Sequence, residues 1–180
     1  MLKLGYAKVD ISPHNSIELI GFKRGNNISQ GILKPLLAQV AVWNDEGTFC
    51  LITIDSLGFK QDLTNNLRKR VCNSLNITFE KVMICFSHCH SAPNADAIPE
   101  YYEMVCRKIK TAAKDAAEKF EEVSVGWGNA SVDIGVNRRK ENNNRDKRVG
   151  ILKVCSDKTG DVKLLILRLT AHCNALKRDN

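Results

Sequence analysis

The chain has few aromatic residues, no long apolar run and no paired cysteine motif. Aromatic side chains make up 6% of its 180 residues, and none lies among the clustered arginines and lysines, so stacking on nucleic-acid bases has no support. No apolar run approaches the length that spans a bilayer, and we therefore expect no transmembrane segment. The 7 cysteines are odd in number and include no C-x-x-C pair, which argues against a disulfide framework.

The first residues also lack the features of a secretion signal. Lys8 and Asp10 come too early to leave room for a signal peptide's apolar segment, so we expect a cytoplasmic protein. The formal net charge of +7 has two explanations, an anionic partner such as a lipid head group or a solvated basic surface. Because no aromatic side chains accompany the basic ones, we expect no nucleic-acid partner.

The order of predicted elements indicates an α/β (α+β) fold, with a mixed β-sheet, β-hairpins at both ends and helices packed on it. In chain order we predict strands at 36–44 and 48–54, a helix at about 62–75, a strand at 81–86, a helix at about 99–120, a strand at 123–127, and a hairpin of 149–155 with 162–169. The β-α-β-α-β order in the middle predicts parallel neighbouring strands. The length fits a single domain over residues 1–180.

The segment Ser-His-Cys-His-Ser-Ala-Pro at 87–93 carries two of the four histidines. It follows the apolar run 82–86, which is typical of a buried strand, and ligands collect at the carboxyl ends of strands in open α/β sheets. On extended chain, His88 and His90 would point to the same side. This spacing indicates a metal or catalytic site; the alternative is a pair of loop histidines bonded to backbone.

Two further predicted strands end in residues that can ligate a metal. His172 follows the last strand, and Asp55 follows the strand at 48–54. If these strands run parallel in one sheet, the two residues share an edge with His88 and His90. Histidine and carboxylate are normal zinc ligands, and a catalytic zinc needs about three protein ligands plus a water. The alternatives are a surface position for His172 and a turn or cap role for Asp55.

Together these motifs resemble the N-terminal part of the neutral/alkaline (non-lysosomal) ceramidases and their bacterial relatives. The matching pieces, in chain order, are 5–13 (G-Y-A-K-V-D-I-S-P) with the family's G-x-A-x-x-D-I-T-P, 36–42 with its first core strand, 54–58 with the next strand, 87–93 with T-H-T-H-S-G-P, 136–139 (V-N-R-R) with its N-R segment, 149–152 with the following strand, and 171–173 (A-H-C) with its second metal histidine. The H-x-H-S-x-P element is the most specific of them. Ser87, Cys89 and Ala92 depart from the family's residues at their positions.

The resemblance implies a zinc-dependent amidase that cleaves the N-acyl bond of ceramide or of a related small-molecule or lipid substrate. Carried across, His88 and His172 would be zinc ligands. His90 would bind or polarise the substrate, and Arg138 would contact the reacting region. Zinc can polarise an amide carbonyl, and a neighbouring cation can stabilise the oxyanion.

The family's other zinc ligands, a glutamate and a tyrosine, lie well downstream of the position of His172, as does a serine that is important to catalysis. We therefore expect a fragment, a divergent short protein, or a site that another chain completes. Asp55, Cys89 and Cys173 are candidate substitute ligands.

A different function class is also open to this sequence. The alternative to an amidase is a non-catalytic domain that keeps the family fold with an incomplete metal site. A further hypothesis, from the charge, is a basic module that binds anionic lipid surfaces or nucleic acid. An unpaired edge strand of the sheet would also favour self-association into a homo-oligomer.

Overall fold

The structure, a computed structural model, describes residues 1–139, 141 and 143–172. It confirms the predicted fold class, with strands hydrogen-bonded in the order β5-β4-β3-β1, a second run of strands in the order β7-β8-β9, and a separate two-stranded sheet of β2 and β6. The elements are β1 (Lys3–Asp10), β2 (Leu19–Gly21), β3 (Leu37–Asn44), β4 (Thr48–Ile54), α1 (Gln61–Leu75), a 3-10 turn (Phe79–Lys81), β5 (Val82–Phe86), β6 (Ser91–Pro93), α2 (Pro99–Ala117), β7 (Glu121–Ser131), β8 (Arg148–Ser156) and β9 (Val162–Arg168).

The described residues form two compact units, one over 3–120 and the other over 121–172 together with Met1 and Leu2. In the first unit, β1, β3 and β4 pair antiparallel, and β5 adds to β4 in parallel after the α1 crossover. Because β4 and β5 run in the same direction, the residues that follow Ile54 and Phe86 emerge at the same end of the sheet. This pairing, which the sequence predicted, places the histidine segment beside residues 55–57.

The core of this unit lies between its sheet and the two helices. Leu67 and Val71 of α1 lie one turn apart and are fully buried, as are Val105 and Ile109 of α2. They pack against strand residues such as Ile52 in one hydrophobic cluster. The helical spacing of apolar residues predicted both helices, because one apolar stripe on each must be buried against the sheet.

The second unit is an antiparallel sheet of β7, β8 and β9. Val154 on β8 pairs with Val125 on one side and Leu164 on the other, and the register shifts by a bulge between Val154 and Cys155. The predicted hairpin of β8 with β9 is confirmed, and β7 is longer than its predicted core at 123–127.

The second predicted parallel pair does not form. Strand β5 lies at one end of the sheet order and has β4 as its neighbour, so the chain does not return beside it after α2. The reason is that α2 packs on β1 and β3, and β1 was not predicted as a strand. Gly5 of β1 allows this packing, since a Cβ there would lie 1.8 Å from the carbonyl oxygen of Ala116.

No helix in the described part of the chain combines the length and hydrophobicity that a membrane span requires.

Candidate metal centre

The histidine segment continues the pairing of β5 with β4 beyond the ends of both strands. The backbone N–H of Ser87 donates to the carbonyl of Ile54, and that of Cys89 donates to the carbonyl of Ser56, each at 3.0 Å. His88 stands between these two hydrogen bonds with a φ of 58°, in the left-handed region that non-glycine residues seldom occupy. Two backbone hydrogen bonds therefore hold His88 in a conformation that the chain would not favour by itself.

The imidazole of His88 is oriented by the backbone of residue 57. Its Nδ1 lies 2.9 Å from the carbonyl oxygen of Leu57. Because a carbonyl oxygen can only accept, Nδ1 carries the hydrogen in this contact and Nε2 keeps a lone pair. A ring nitrogen that donates to a backbone carbonyl is the usual outer contact of a histidine whose other nitrogen binds a metal.

His90 is held in the same way by a different loop. Its Nδ1 lies 2.8 Å from the carbonyl oxygen of Gly21, in the small antiparallel sheet where Gly21 of β2 is opposite Ser91 of β6. Gly21 has a φ of +105°, and a Cβ on it would lie 2.7–2.8 Å from the Cα, Cβ and Cγ atoms of His90. Only glycine fits this close approach.

Arg24 fixes the backbone on the far side of His90. Its Nη2 donates to the carbonyl oxygen of His90 and to the hydroxyl of Ser91, each at 3.0 Å. The guanidinium also lies over the ring of Phe22, 5.0 Å from its centroid, and that ring is 5.2 Å from the imidazole of His90. These contacts leave His90 with a defined position in a half-buried environment.

The structure brings His88 and His90 together, as the sequence predicted, with ring centroids 4.9 Å apart and planes at 83°. The backbone conformation differs from the prediction, because His88 is left-handed and not extended. His172 is exposed and lies in the segment that follows β9. His88 and His90 belong to the unit over 3–120 and His172 to the other unit, and imidazole nitrogens such as theirs are donors that fit zinc.

Asp55 and Cys89 were the other candidate ligands in the unit over 3–120. The Oδ2 of Asp55 accepts a hydrogen bond from the N–H of Leu37 at 3.0 Å, and the N–H of Asp55 donates to the carbonyl of Leu37 at 2.9 Å. Asp55 thus holds the start of β3 beside the end of β4 and does not cap α1, whose N-cap is Lys60. Cys89 is a half-buried free thiol, and Cys173 lies outside the described residues.

Arg138 is exposed, in the segment between β7 and β8. The neighbouring Asn137 organises this segment, since its Oδ1 accepts from the N–H of Arg139 at 3.0 Å and its Nδ2 donates to the carbonyl of Asn144 at 3.1 Å. The predicted role of Arg138 at the reacting region stays a prediction.

A cleft of about 1370 Å³ lies against the histidine segment, and Cys89 and Ser91, which flank His90, are part of its wall. Most of the remaining wall comes from the loop over residues 12–37, including the apolar Ile28 and Leu33. Sequence reasoning missed both this loop and Gly21 as parts of the site. Their signal in the sequence was Gly21, which follows the apolar pair Leu19-Ile20. This glycine does not reveal that His90 is its partner.

Tyr101 is a further residue near the site that the sequence did not single out. It is 4% exposed, in the first turn of α2. Burial raises the pKa of its hydroxyl, and the nearby Cys89, Asp10 and Asp55 act in the same direction. The phenol therefore stays protonated at neutral pH and is not a candidate general base.

Comparison with known proteins identifies solved structures that have the same fold as this chain. The neutral ceramidase from Pseudomonas aeruginosa superimposes with a TM-score of 0.88 over 99% of this chain at 15% identity. A ceramidase complexed with C2 superimposes with a TM-score of 0.86, also over 99% of the chain at 15% identity. This chain spans about one third of those proteins, 33% and 32% of their lengths. No family model and no curated protein matches the sequence. The chain has a ceramidase-like fold.

Proposed function

We propose that this chain binds zinc and forms part of an amide-hydrolase site that cleaves the N-acyl bond of a lipid or lipid-like substrate. The observation that carries the proposal is the pair of imidazoles of His88 and His90, whose ring centroids lie 4.9 Å apart and whose Nδ1 atoms are each held by a backbone carbonyl. The ceramidase-like fold supports the choice of reaction.

In this proposal His88 and His172 are the zinc ligands and His90 is the residue beside them on the substrate side. Zinc, when bound, supplies a Lewis acid for the amide carbonyl and an acidified water. The Nδ1–H of His88 bonds to a backbone carbonyl, which orients Nε2 for ligation before any metal arrives. This preorganisation lowers the cost of ordering a ligand when the metal binds.

His90 would orient the amide. Its Nδ1 bonds to the carbonyl of Gly21, and its Nε2 would accept or donate a hydrogen bond at the substrate. Arg138 would act as the cation that stabilises developing negative charge on the amide oxygen.

The cleft beside His90 would hold the acyl chain. Its volume of about 1370 Å³ exceeds that of an ordinary small-molecule pocket. Its wall includes the apolar side chains of Ile28, Ile32 and Leu33, which are 47%, 58% and 79% exposed. A hydrocarbon chain lying on them would remove this apolar surface from water.

Zinc binding and hydrolysis are both proposals for this chain, which spans about one third of the length of the ceramidases with its fold. The second candidate is a non-catalytic domain with the same fold and an incomplete metal site. The hydrogen bonds of both imidazoles to backbone carbonyls favour it, because loop histidines without a metal make the same contacts.

A panel of N-acyl substrates of increasing chain length, incubated with the chain and added zinc, separates the two candidates. Release of fatty acid that is lost in His90→Gln, with bound zinc retained, supports the amidase and the role of His90 on the substrate side. Loss of zinc in His90→Gln makes His90 a ligand instead. Bound zinc with no product from any substrate supports the non-catalytic domain.

A further inference from the structure

Two neighbouring apolar side chains are exposed on the segment that follows β7. Ile134 is 58% exposed and Val136 is 88% exposed. Leu169, which lines the same small surface depression as Ile134, is 39% exposed. Arg138 and Arg139 follow directly and are exposed as well. The segment therefore presents apolar side chains with cationic ones beside them.

The backbone of this segment is anchored although its side chains are not packed. The N–H of Val132 donates to the carbonyl of Lys147 at 2.8 Å, and Nη1 of Arg145 donates to the carbonyl of Gly135 at 3.2 Å. A Cβ on Gly135 would lie 3.2 Å from the carbonyl oxygen of Thr170, so the backbone passes close to the segment after β9. Ile134 and Val136 are therefore exposed on a loop whose backbone is held in place by hydrogen bonds.

The charges around this loop leave an excess of positive charge. Asp133 is shared by Arg145 and Lys147, each at 2.7 Å.

Asp146 is likewise shared by Arg148 at 2.8 Å and Arg168 at 3.3 Å. Each acid faces two cations, so each group keeps a net positive charge, to which Arg138 and Arg139 add.

We propose that this surface docks on an anionic lipid bilayer, with Ile134 and Val136 entering the interfacial layer and Arg139 contacting lipid phosphates. Apolar side chains flanked by basic ones bind such a surface. Each basic charge near it contributes about fivefold in affinity. A second copy of the chain fits less well, because it would bring two positive surfaces together. This interaction is separate from hydrolysis and does not require bound zinc.

Sedimentation with lipid vesicles tests the proposal. We expect the chain to sediment with phosphatidylcholine vesicles that contain phosphatidylserine, to bind less to phosphatidylcholine alone, and to be released by salt. The double variant Ile134→Ser/Val136→Ser should bind about tenfold more weakly, and Arg139→Gln about fivefold more weakly.

Two control variants match these changes at the opposite end of β9. Val162→Ser removes an apolar side chain that is 54% exposed, and Lys158→Gln removes an exposed charge from the turn before β9. Both should bind like the unmodified chain. Circular dichroism of each variant establishes that it is folded.

The proposal is overturned if the chain does not sediment with anionic vesicles at low salt, or if the double variant and Val162→Ser lose binding equally. It is also overturned if light scattering shows a dimer that the double variant converts to a monomer, since the surface would then bind a second copy.

Discussion

The carbonyl oxygen of Gly21 lies 2.8 Å from Nδ1 of His90, although the two residues are 69 positions apart in the sequence. This hydrogen bond selects the tautomer of His90 and orients its ring. The absence of a side chain on Gly21 makes the contact geometrically feasible, because a Cβ would meet the ring and backbone of His90 at 2.7–2.8 Å.

Gly21→Ala should therefore displace His90 and strain the backbone. The φ of +105° at this position is unfavourable for alanine, and we expect a loss of about 1–3 kcal/mol in unfolding free energy. Denaturant unfolding measures it. Gly25→Ala, in the same loop with no atom within 4 Å of the added Cβ, is the matched control, and an equal loss in both variants would contradict the close-approach argument.

Arg68 should be important to the stability of the element that leads into the histidine segment. Its Nε donates to the carbonyl of Val82 at 2.9 Å and its Nη2 to that of Phe79 at 2.8 Å, and the guanidinium lies 3.6 Å from the centroid of the Phe79 ring. We expect Arg68→Ala to lower the unfolding free energy by about 2–3 kcal/mol. Lys69→Ala, on the exposed side of the same helix, should change it by less than about 0.5 kcal/mol.

Asp10 should make stability depend on acid pH. Hydrogen bonds from the hydroxyl and the N–H of Ser12 lower the pKa of the Asp10 carboxyl, and Lys108 adds to the shift. A pKa lowered on folding means that the carboxylate stabilises the fold above the ordinary aspartate pKa of about 3.9, and that this contribution is lost as pH falls through the folded-state pKa.

Asp10→Asn should accordingly be less stable than the unmodified chain at neutral pH, by under about 1 kcal/mol because the carboxylate is exposed. The difference should shrink as pH falls below about 4. Denaturant unfolding across this range measures it, with Asp115→Asn on α2 as the control. A difference that stays constant with pH would argue against the lowered pKa.

The spacing of apolar and turn-forming residues predicted the helices and the hairpins correctly. The apolar spacing around Leu67 and Ile109 gave both helices, and the turn after Asn44 gave the hairpin of β3 with β4. Strand β1 was missed because Gly5 weakens its apolar alternation, and Gly5 is there for its close approach to Ala116. Without β1, we predicted a parallel pairing of β7 with β5, and this pairing does not form.

The sequence predicted only part of the candidate site. The strand before Ser87 located His88 and His90 at a sheet end, and that location is correct. The groups that orient the two rings, Leu57 and Gly21, are 31 and 69 positions away. Backbone carbonyls leave no trace in residue type, so these contacts could be found only in three dimensions.

The measurement that tests the account most directly is the zinc content of the purified chain after equilibration with zinc and removal of the excess. We expect about one zinc per chain, with the loss of most of it in His88→Ala and in His172→Ala. The fourth histidine provides the control, since His14 lies between β1 and β2 and is not one of the proposed zinc ligands, and His14→Ala should retain the zinc. A chain that holds no zinc, or a His88→Ala variant that holds as much as the unmodified chain, would contradict the central claim.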